Sequence, residues 1–209
     1  MALKNLQIIV RIRNIQKGPY MEKLKELIMT KGKNLGRGIL KVDGFINHQI
    51  DTTLMFDVGQ ELARRFKDTG ATKVITAEIS GIGPALTTGY ALGIPVIYAR
   101  KVRPVTMTGK VYVEVAPSHT KGSDAFLMVS AEFINEDDKL LIIDDFLASG
   151  STIGALARLI EHANASLVGI GAVIEKSFEG GRESLKPLGV PIATLAVISK
   201  MTDDLIEVE

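Results

Sequence analysis

Apolar runs that alternate with helix-spaced stretches constrain the fold of this chain more than any other feature. Five runs have the length of a strand and are apolar on both faces: KVITA, IPVIYAR, FLMVS, KLLIID and LVGIGAVI. Such strands are buried on both sides, which is typical of parallel sheets covered by helices. Helical spacing separates several of them, and in one stretch an apolar residue recurs every four positions: Leu54, Val58, Leu62 and Phe66. The sequence therefore predicts an α/β fold with a central, mainly parallel sheet flanked by helices.

Composition narrows the class of protein. The 209 residues, 46% of them hydrophobic, suffice for one well-buried domain. A net charge of +1 gives no electrostatic reason to expect nucleic acid as a partner. The sequence has no cysteine, which excludes disulfides and thiolate metal sites and fits a reducing compartment. Because no run approaches the roughly 18 apolar residues that span a bilayer, and no signal peptide is recognisable, we expect a cytoplasmic protein without a membrane partner.

The start of the chain differs from the rest. Residues 1–20 contain four basic residues and no acid, and they are followed by a second methionine, Met21. We expect an N-terminal extension over 1–20, in which LQIIVRIRNI alternates like an edge strand, and a single domain over 21–209. Within that domain the segment from about 34 to 50 has no single period and carries a turn pair, Asp43-Gly44, so it predicts a small, irregular N-terminal hood.

Residues that directly follow the apolar runs are the candidates for function, because ligands of such sheets bind beyond the carboxyl ends of the strands. KVITA is followed by the turn ISGIGP, and LVGIGAVI is followed by EKSF. KLLII is followed by Asp144, Asp145 and then FLASGST, whose small and hydroxylated residues suit a phosphate at the start of a helix. Two neighbouring aspartates repel each other unless cations or hydroxyl donors meet them, and a sugar diol supplies such hydroxyls.

Other common site chemistries lack their signatures in this sequence. The chain contains no G-x-G-x-x-G fingerprint, no P-loop and no G-x-S-x-G elbow. Its three histidines, His48, His119 and His162, are far apart and form no metal-binding pattern. Dinucleotide binding, serine hydrolysis and histidine-based metal chemistry are therefore not expected.

The run LLIIDDFLASGST resembles the thirteen-residue signature with which type I phosphoribosyltransferases bind phosphoribosyl pyrophosphate (PRPP). The segments LKVDGFINHQID, ISGIGPA, YARK, DDFLASG and IEKSF follow in the order typical of bacterial xanthine phosphoribosyltransferases, and the resemblance covers Met21 to about Val208. It implies the type I phosphoribosyltransferase fold, with a hood and a mobile hairpin lid. It also implies transfer of the phosphoribosyl group from PRPP to N9 of xanthine by a homodimer, with Mg²⁺ carried on PRPP and no direct metal ligand in the protein.

The resemblance implies a role for each part of the PRPP site. Asp144 and Asp145 are the catalytic acids that hold the ribose hydroxyls. Ser80 and Gly81 form the pyrophosphate turn, often with a non-proline cis bond, while Arg100 and Lys101 offset the pyrophosphate charge. The 5′-phosphate is expected to bind the loop formed by Ala148, Ser149, Gly150, Ser151 and Thr152.

The resemblance also implies where the purine base binds. Leu40 and Asn47 of the hood contact the base, Lys176 lies near its exocyclic oxygens, and Phe178 stacks on the ring. An ammonium group at that place favours oxo-purines over adenine, whose 6-amino group is itself a donor.

Two features leave alternatives open. The phosphate loop has ASGST where xanthine enzymes more often have ANGxA, which is closer to adenine-type enzymes, so adenine, guanine or hypoxanthine are alternative substrates. A non-catalytic PRPP sensor with the same fold is a further alternative. Such a sensor needs a DNA-reading module, but twenty extra residues are too few for a winged helix, and the near-neutral charge offers little surface for phosphate binding.

The segment KVRPVTMTGKVYVEVAPSHTK predicts the hairpin lid, which would exclude water from the reacting sugar.

Overall fold

The computed structural model describes residues 19–117, 125–202 and 205–209. It contains five α-helices in this part of the chain: α1 (Pro19–Lys31), α2 (Thr52–Phe66), α3 (Ile82–Leu92), α4 (Ser151–His162) and α5 (Gly181–Leu185). The strands are β1 (Lys33–Asn34), β2 (Leu40–Lys41), β3 (Lys73–Ala77), β4 (Val96–Ala99), β5 (Val111–Ala116), β6 (Ala125–Ser130), β7 (Lys139–Leu147), β8 (Ser166–Lys176), β9 (Ile192–Thr202) and β10 (Leu205–Val208). None of the helices in the described ranges combines the length and apolarity that crossing a membrane requires.

A six-stranded sheet in the order β10-β9-β8-β7-β3-β4 forms the centre of the molecule. All neighbouring strands are parallel except β10, which pairs antiparallel with β9 at one edge. The β7–β8 ladder contains a bulge at Val168, because Leu140 faces Leu167 while Leu141 faces Gly169. The predicted α/β fold with a mainly parallel sheet is confirmed.

Helices cover both faces of the sheet, as its apolar strands require. On one face α1 and α2 pack against the sheet, and the predicted stripe of α2 is fully buried at Leu54, Val58, Leu62 and Phe66. On the other face α4 buries Ile153, Leu156 and Leu159 against the sheet and against the β5–β6 hairpin. The apolar layers on the two faces of the sheet hold the strands in place, and the candidate site residues lie at the ends of these strands.

The prediction that FLMVS is a strand of the parallel sheet is wrong. This segment is β6, which pairs antiparallel with β5 in a separate hairpin, from Val111 opposite Ser130 to Ala116 opposite Ala125. Its side chains alternate between exposed Phe126 and buried Leu127, so only one face of the strand is covered. The sequence did not indicate this alternation, because the exposed and the buried positions of the run both carry apolar residues. Two strands of the sheet, β9 and β10, were not predicted at all.

Two of the predicted segments, the hood and the lid, lie outside the central sheet. The predicted hood, from about 34 to 50, contains most of the short β1–β2 ribbon and a π-helical turn over Asp43–Asn47. It leads into α2, where the Asp51 side chain caps the helix by accepting from Leu54 N–H. The segment predicted as the hairpin lid, 101–121, contains β5, which forms its hairpin with β6, and the connection 118–124 lies outside the described residues. The predicted extension lies almost entirely outside them, because the described chain begins at Pro19.

Candidate functional site

The two predicted acids lie at the carboxyl end of β7, which is a central strand of the sheet. Asp144 is buried, Asp145 is partly exposed, and the Asp145 N–H donates to Asp144 Oδ1 over 3.0 Å. Burial and the charge of Asp145 raise the pKa of Asp144 well above its ordinary value, and burial also raises the pKa of Asp145. The positive charge of Lys101 acts in the opposite direction on both. The pair is thus short of stabilising partners and suits hydroxyl donors from a bound ligand.

The predicted pyrophosphate turn lies directly against Asp144. A Cβ atom on Gly81 would stand within 2.6 Å of both Asp144 Oδ1 and the Thr76 hydroxyl, so only glycine fits without a shift. Thr76 is fully buried, and its hydroxyl has no hydrogen-bond partner among the described residues. The expected non-proline cis peptide is present just before the turn, between Glu78 and Ile79. The structure therefore brings the turn after β3 and the acids near the carboxyl end of β7 together.

Glu78 organises the predicted basic pair, although the sequence analysis did not select it. Its Oε1 accepts from the Lys101 N–H over 2.6 Å, and its Oε2 lies 2.9 Å from Arg100 Nε. The Arg100 guanidinium also lies 5.6 Å from the centre of the Tyr98 ring. An acid at the end of a buried strand was the available signal for Glu78. Its contacts bring the Arg100–Lys101 segment beside the turn.

The predicted phosphate loop joins β7 to the start of α4. Gly150 has a left-handed backbone with φ of 83°, and its carbonyl accepts from Gly154 N–H in the first helical turn. The hydroxyls of Ser149 and Ser151 lie 2.9 Å apart, and Ser151 and Thr152 are the first residues of α4. The first N–H groups of a helix have no partner within it, so this loop and helix terminus form an anion-binding geometry.

The predicted purine-binding residues divide between the end of β8 and the hood. Lys176, with 13% of its side chain exposed, donates to Gly38 O over 2.8 Å and pairs with Glu179 Oε1 at 2.5 Å. Phe178 follows on the same segment and is 46% exposed, which leaves its ring accessible to a ligand. Gly38 and Glu179 were missed by the sequence analysis, because a contact between the hood and β8 has no local signature.

The two predicted hood residues are placed differently from each other. Asn47 ends the π-helical turn, and its Oδ1 is buried without a hydrogen-bond partner in the described structure. Leu40 is buried in the hydrophobic core, so its side chain is not displayed as a free surface. Asn47 therefore has an unused acceptor, whereas the side chain of Leu40 is part of the core.

The base of the predicted lid is tied to the helix that carries the phosphate loop. Glu114 of β5 accepts from Arg158 Nε of α4 over 2.7 Å, and it lies 3.1 Å from His162 Nδ1. Arg158 also donates to the Val115 carbonyl over 2.8 Å. The mobility of the lid stays a prediction.

Comparisons with known proteins indicate the family of this chain. The family model described as phosphoribosyl transferase domain matches residues 56–194. A xanthine phosphoribosyltransferase of Deinococcus deserti is 50% identical over 183 residues, which are 88% of this chain and 95% of that protein. A xanthine phosphoribosyltransferase of Listeria monocytogenes is 46% identical over 184 residues, covering 88% of this chain and 96% of that protein.

Solved structures show the same architecture. The crystal structure of adenine phosphoribosyltransferase from Rhodothermus marinus superposes with a TM-score of 0.70 at 25% identity, covering 86% of this chain and 98% of that one. The acids, the glycine turn and the phosphate loop lie together at one edge of that shared sheet. Fold, family model and relatives coincide, and this chain belongs to the phosphoribosyl transferase family.

Proposed function

We propose that the protein transfers the phosphoribosyl group of PRPP to N9 of xanthine and releases pyrophosphate, forming xanthosine monophosphate. The observation that carries this proposal is the continuous arrangement of the buried acid pair Asp144–Asp145, the Gly81 turn against it and the phosphate loop that follows it. Relatives that share 43–50% identity over most of the chain bear the name xanthine phosphoribosyltransferase.

The acids act on the sugar. In the proposed reaction the bond from C1 of ribose to the pyrophosphate oxygen breaks, the bond from C1 to N9 forms, and the base loses its N9 proton. Positive charge develops at C1 as the leaving group departs, and nearby carboxylates stabilise it, as in glycoside hydrolysis. Asp144 and Asp145, whose pKa values are raised by burial, accept from the ribose hydroxyls, while Ala148–Thr152 hold the 5′-phosphate.

The pyrophosphate leaves against the Gly81 turn. The main chain at Ser80 and Gly81 faces the leaving group in this proposal, and Arg100 and Lys101 offset its charge. Among the described residues no group of three or more histidine, cysteine, aspartate or glutamate side chains could hold a metal ion. In our proposal magnesium arrives on PRPP, and the raised pKa values of Asp144 and Asp145 fit a site that receives positive charge with its substrate.

Lys176 selects the base. Its ammonium is bound by the Gly38 carbonyl and the Glu179 carboxylate, so its position is fixed before the purine binds. A fixed donor favours the carbonyl oxygens of xanthine over the amino group of adenine. Asn47 supplies an unused acceptor, Phe178 a partly exposed ring, and Leu40 the wall of the hood.

The test is an assay of purified protein with PRPP, Mg²⁺ and each of xanthine, guanine, hypoxanthine and adenine, with PRPP hydrolysis without base as the blank. We expect the highest kcat/KM with xanthine. A higher kcat/KM with adenine would overturn the assignment of xanthine as the substrate. It would agree with the ASGST sequence of the phosphate loop, which is closer to adenine-type enzymes. Binding of PRPP without turnover of any purine would instead support a PRPP sensor.

We also propose that the protein acts as a homodimer in the cytoplasm. Exposed aromatic side chains on α2 and α3 support the dimer: Phe56 and Tyr90 are 52% and 74% exposed, and their rings meet edge to face at 6.1 Å. The absence of cysteine fits a reducing compartment. Sedimentation of the wild type and of Tyr90→Lys tests the assembly, because a charge on this surface is expected to yield monomer.

A further inference from the structure

Glu175 and Arg182 form an ion pair that none of the proposed roles uses, in which the carboxylate is buried and the guanidinium is partly exposed. Arg182 Nε donates to Glu175 Oε1 over 2.8 Å, and Arg182 Nη2 donates to Oε2 over 2.5 Å. Glu175 is only 3% exposed, at the end of β8. Thr194 Oγ1 donates to Glu175 and accepts from Arg182, and the Ile192 carbonyl accepts from Arg182 Nη1. The guanidinium is thus fixed in both position and orientation, as two-point pairing with a carboxylate allows.

The short helix that carries Arg182 contacts the phosphate loop. In α5 the Gly181 N–H donates to the Ala148 carbonyl over 2.9 Å. The Ser184 hydroxyl lies 3.1 Å from the Ser149 carbonyl and 2.8 Å from the Gly181 carbonyl of its own turn, so its one proton is shared between them. A Cβ atom on Gly181 would overlap the Ala148 carbonyl and stand 2.8 Å from Gly150 N, so the two backbones are in close contact. A helix of five residues has little stability of its own, and its position depends on tertiary contacts such as Arg182.

These contacts determine the direction of the loop's donors. In a trans peptide the carbonyl and the next residue's N–H lie in one plane and point in opposite directions. Holding the Ala148 and Ser149 carbonyls on α5 therefore turns the Ser149 and Gly150 N–H groups away from α5. A rotation of either peptide would remove a donor from the face where a phosphate binds.

We infer that Arg182 is a positioning residue: through its pair with Glu175 it holds α5 against the phosphate loop and so keeps the loop's N–H groups directed at the 5′-phosphate. This inference rests on the proposed function, in which the loop binds that phosphate. Glu175 is followed directly by Lys176, which contacts the hood instead. Because neighbouring side chains of a strand point to opposite faces, the ion pair acts on PRPP binding and leaves the purine side unchanged.

The experiment compares Arg182→Lys and Ser184→Ala in the full chain. Arg182→Lys keeps the positive charge but lacks the planar fork, and Ser184→Ala removes one contact to the loop while leaving the ion pair intact. Lys186→Met is the matched control, since Lys186 pairs with Glu183 on the same segment with both side chains more than half exposed. The readouts are calorimetric affinity for ribose 5-phosphate, the KM values for PRPP and purine, and Tm.

We expect Arg182→Lys to weaken ribose 5-phosphate binding and to raise KM for PRPP by about tenfold, the effect of losing one charged hydrogen bond. The KM for purine should stay within about twofold, Ser184→Ala should give an intermediate effect, and Lys186→Met none. Unchanged ribose 5-phosphate affinity in Arg182→Lys would overturn the inference. An equal rise of both KM values would also overturn it, because it would indicate a general structural role.

Two further outcomes are distinguishable. If Arg182→Lys does not fold, Thr194→Val is measured instead, because it removes one hydroxyl that contacts both members of the ion pair. A selective loss of PRPP affinity in Thr194→Val supports the inference, and wild-type affinity contradicts it. A wild-type protein that binds neither PRPP nor ribose 5-phosphate would overturn the proposed function together with the inference, whereas an unaffected Arg182→Lys overturns the inference alone.

Discussion

The phosphate loop and the hood lie near the same ends of the parallel strands, yet they are held in different ways. The loop is a continuous segment after β7, and its internal contacts join close neighbours such as Ser149 and Ser151. The hood is held by contacts between distant parts of the chain, since Gly38 accepts from Lys176 and Asn34 donates to the Thr202 carbonyl. The sequence of the sugar-phosphate end is thus locally encoded, with α5 as its tertiary support, while the base end is assembled from distant segments.

Neutralising both acids is expected to cause the largest loss of activity, and it acts at the locally encoded sugar-phosphate end. For the double variant Asp144→Asn and Asp145→Asn we expect phosphoribosyl transfer to fall on the order of a thousandfold, because the charge that stabilises the cationic sugar is lost. Steady-state kinetics measure the loss, and circular dichroism verifies the fold. Wild-type turnover in a folded double variant would contradict the proposed roles of the two acids.

A methyl group on the pyrophosphate turn gives the next largest effect. Gly81→Ala places a Cβ within 2.6 Å of the Thr76 hydroxyl and Asp144 Oδ1, so the turn or the acid must shift. We expect a loss of activity of about a hundredfold and destabilisation of about 1–3 kcal/mol from overpacking. Gly83→Ala is the matched control in the first turn of α3, because its Cβ would meet Met55 at an ordinary 3.6 Å. Equal effects of the two variants would contradict this explanation.

The sequence predicted the locally encoded end well. The apolar run before Asp144 indicated a buried strand, and the small residues after it indicated a loop at a helix start, both as observed. The hairpin strand β6 was assigned to the wrong sheet, because its alternation between exposed Phe126 and buried Leu127 is hard to recognise in five apolar residues. Glu78 and Arg182 were missed as site residues, because their importance lies in partners 22 and 7 positions away or more.

Lys176 tests the hood side of the comparison. Lys176→Met removes the charged donor from the base end while leaving the phosphate loop in place. We expect kcat/KM for xanthine to fall about tenfold with little change in KM for PRPP, because one charged hydrogen bond is lost. Lys41→Met is the control, since Lys41 forms an exposed pair with Asp43 in the same hood. A parallel rise in KM for PRPP would show that the two ends are not separable.

The smallest expected effect is on stability as a function of pH. Because the pKa of Asp144 is raised above its ordinary 3.8 in the folded protein, the unfolded chain loses this proton at lower pH, and the wild type loses stability as pH rises above that value. An amide at this position does not titrate and avoids the loss, so the variant Asp144→Asn should gain free energy of unfolding relative to wild type as pH rises. Urea unfolding at several pH values measures the difference.

Asp138→Asn provides the control for this pH trend. Although burial raises the pKa of Asp138, hydrogen bonds from Lys73 and the Asn135 N–H lower it overall. Asp138 therefore stabilises the fold above its ordinary pKa, and this contribution is lost as pH falls. The cost of Asp138→Asn should shrink towards acid pH. If the free energies of unfolding of both variants, relative to wild type, changed in the same direction with pH, the opposite pKa shifts of Asp144 and Asp138 would be contradicted.

The bulge at Val168 has a consequence for how β8 tolerates changes in length. Deleting Val168 would let the ladder close and leave every later residue opposite its present partner in β7. Deleting one residue between Ile170 and Ile174 would instead reverse the faces of all that follow, so that the carboxylate of Glu175 and the ammonium of Lys176 would exchange sides. Deletions are therefore tolerable at the beginning of this strand and disruptive near its end, where the side chains of Glu175 and Lys176 lie on opposite faces.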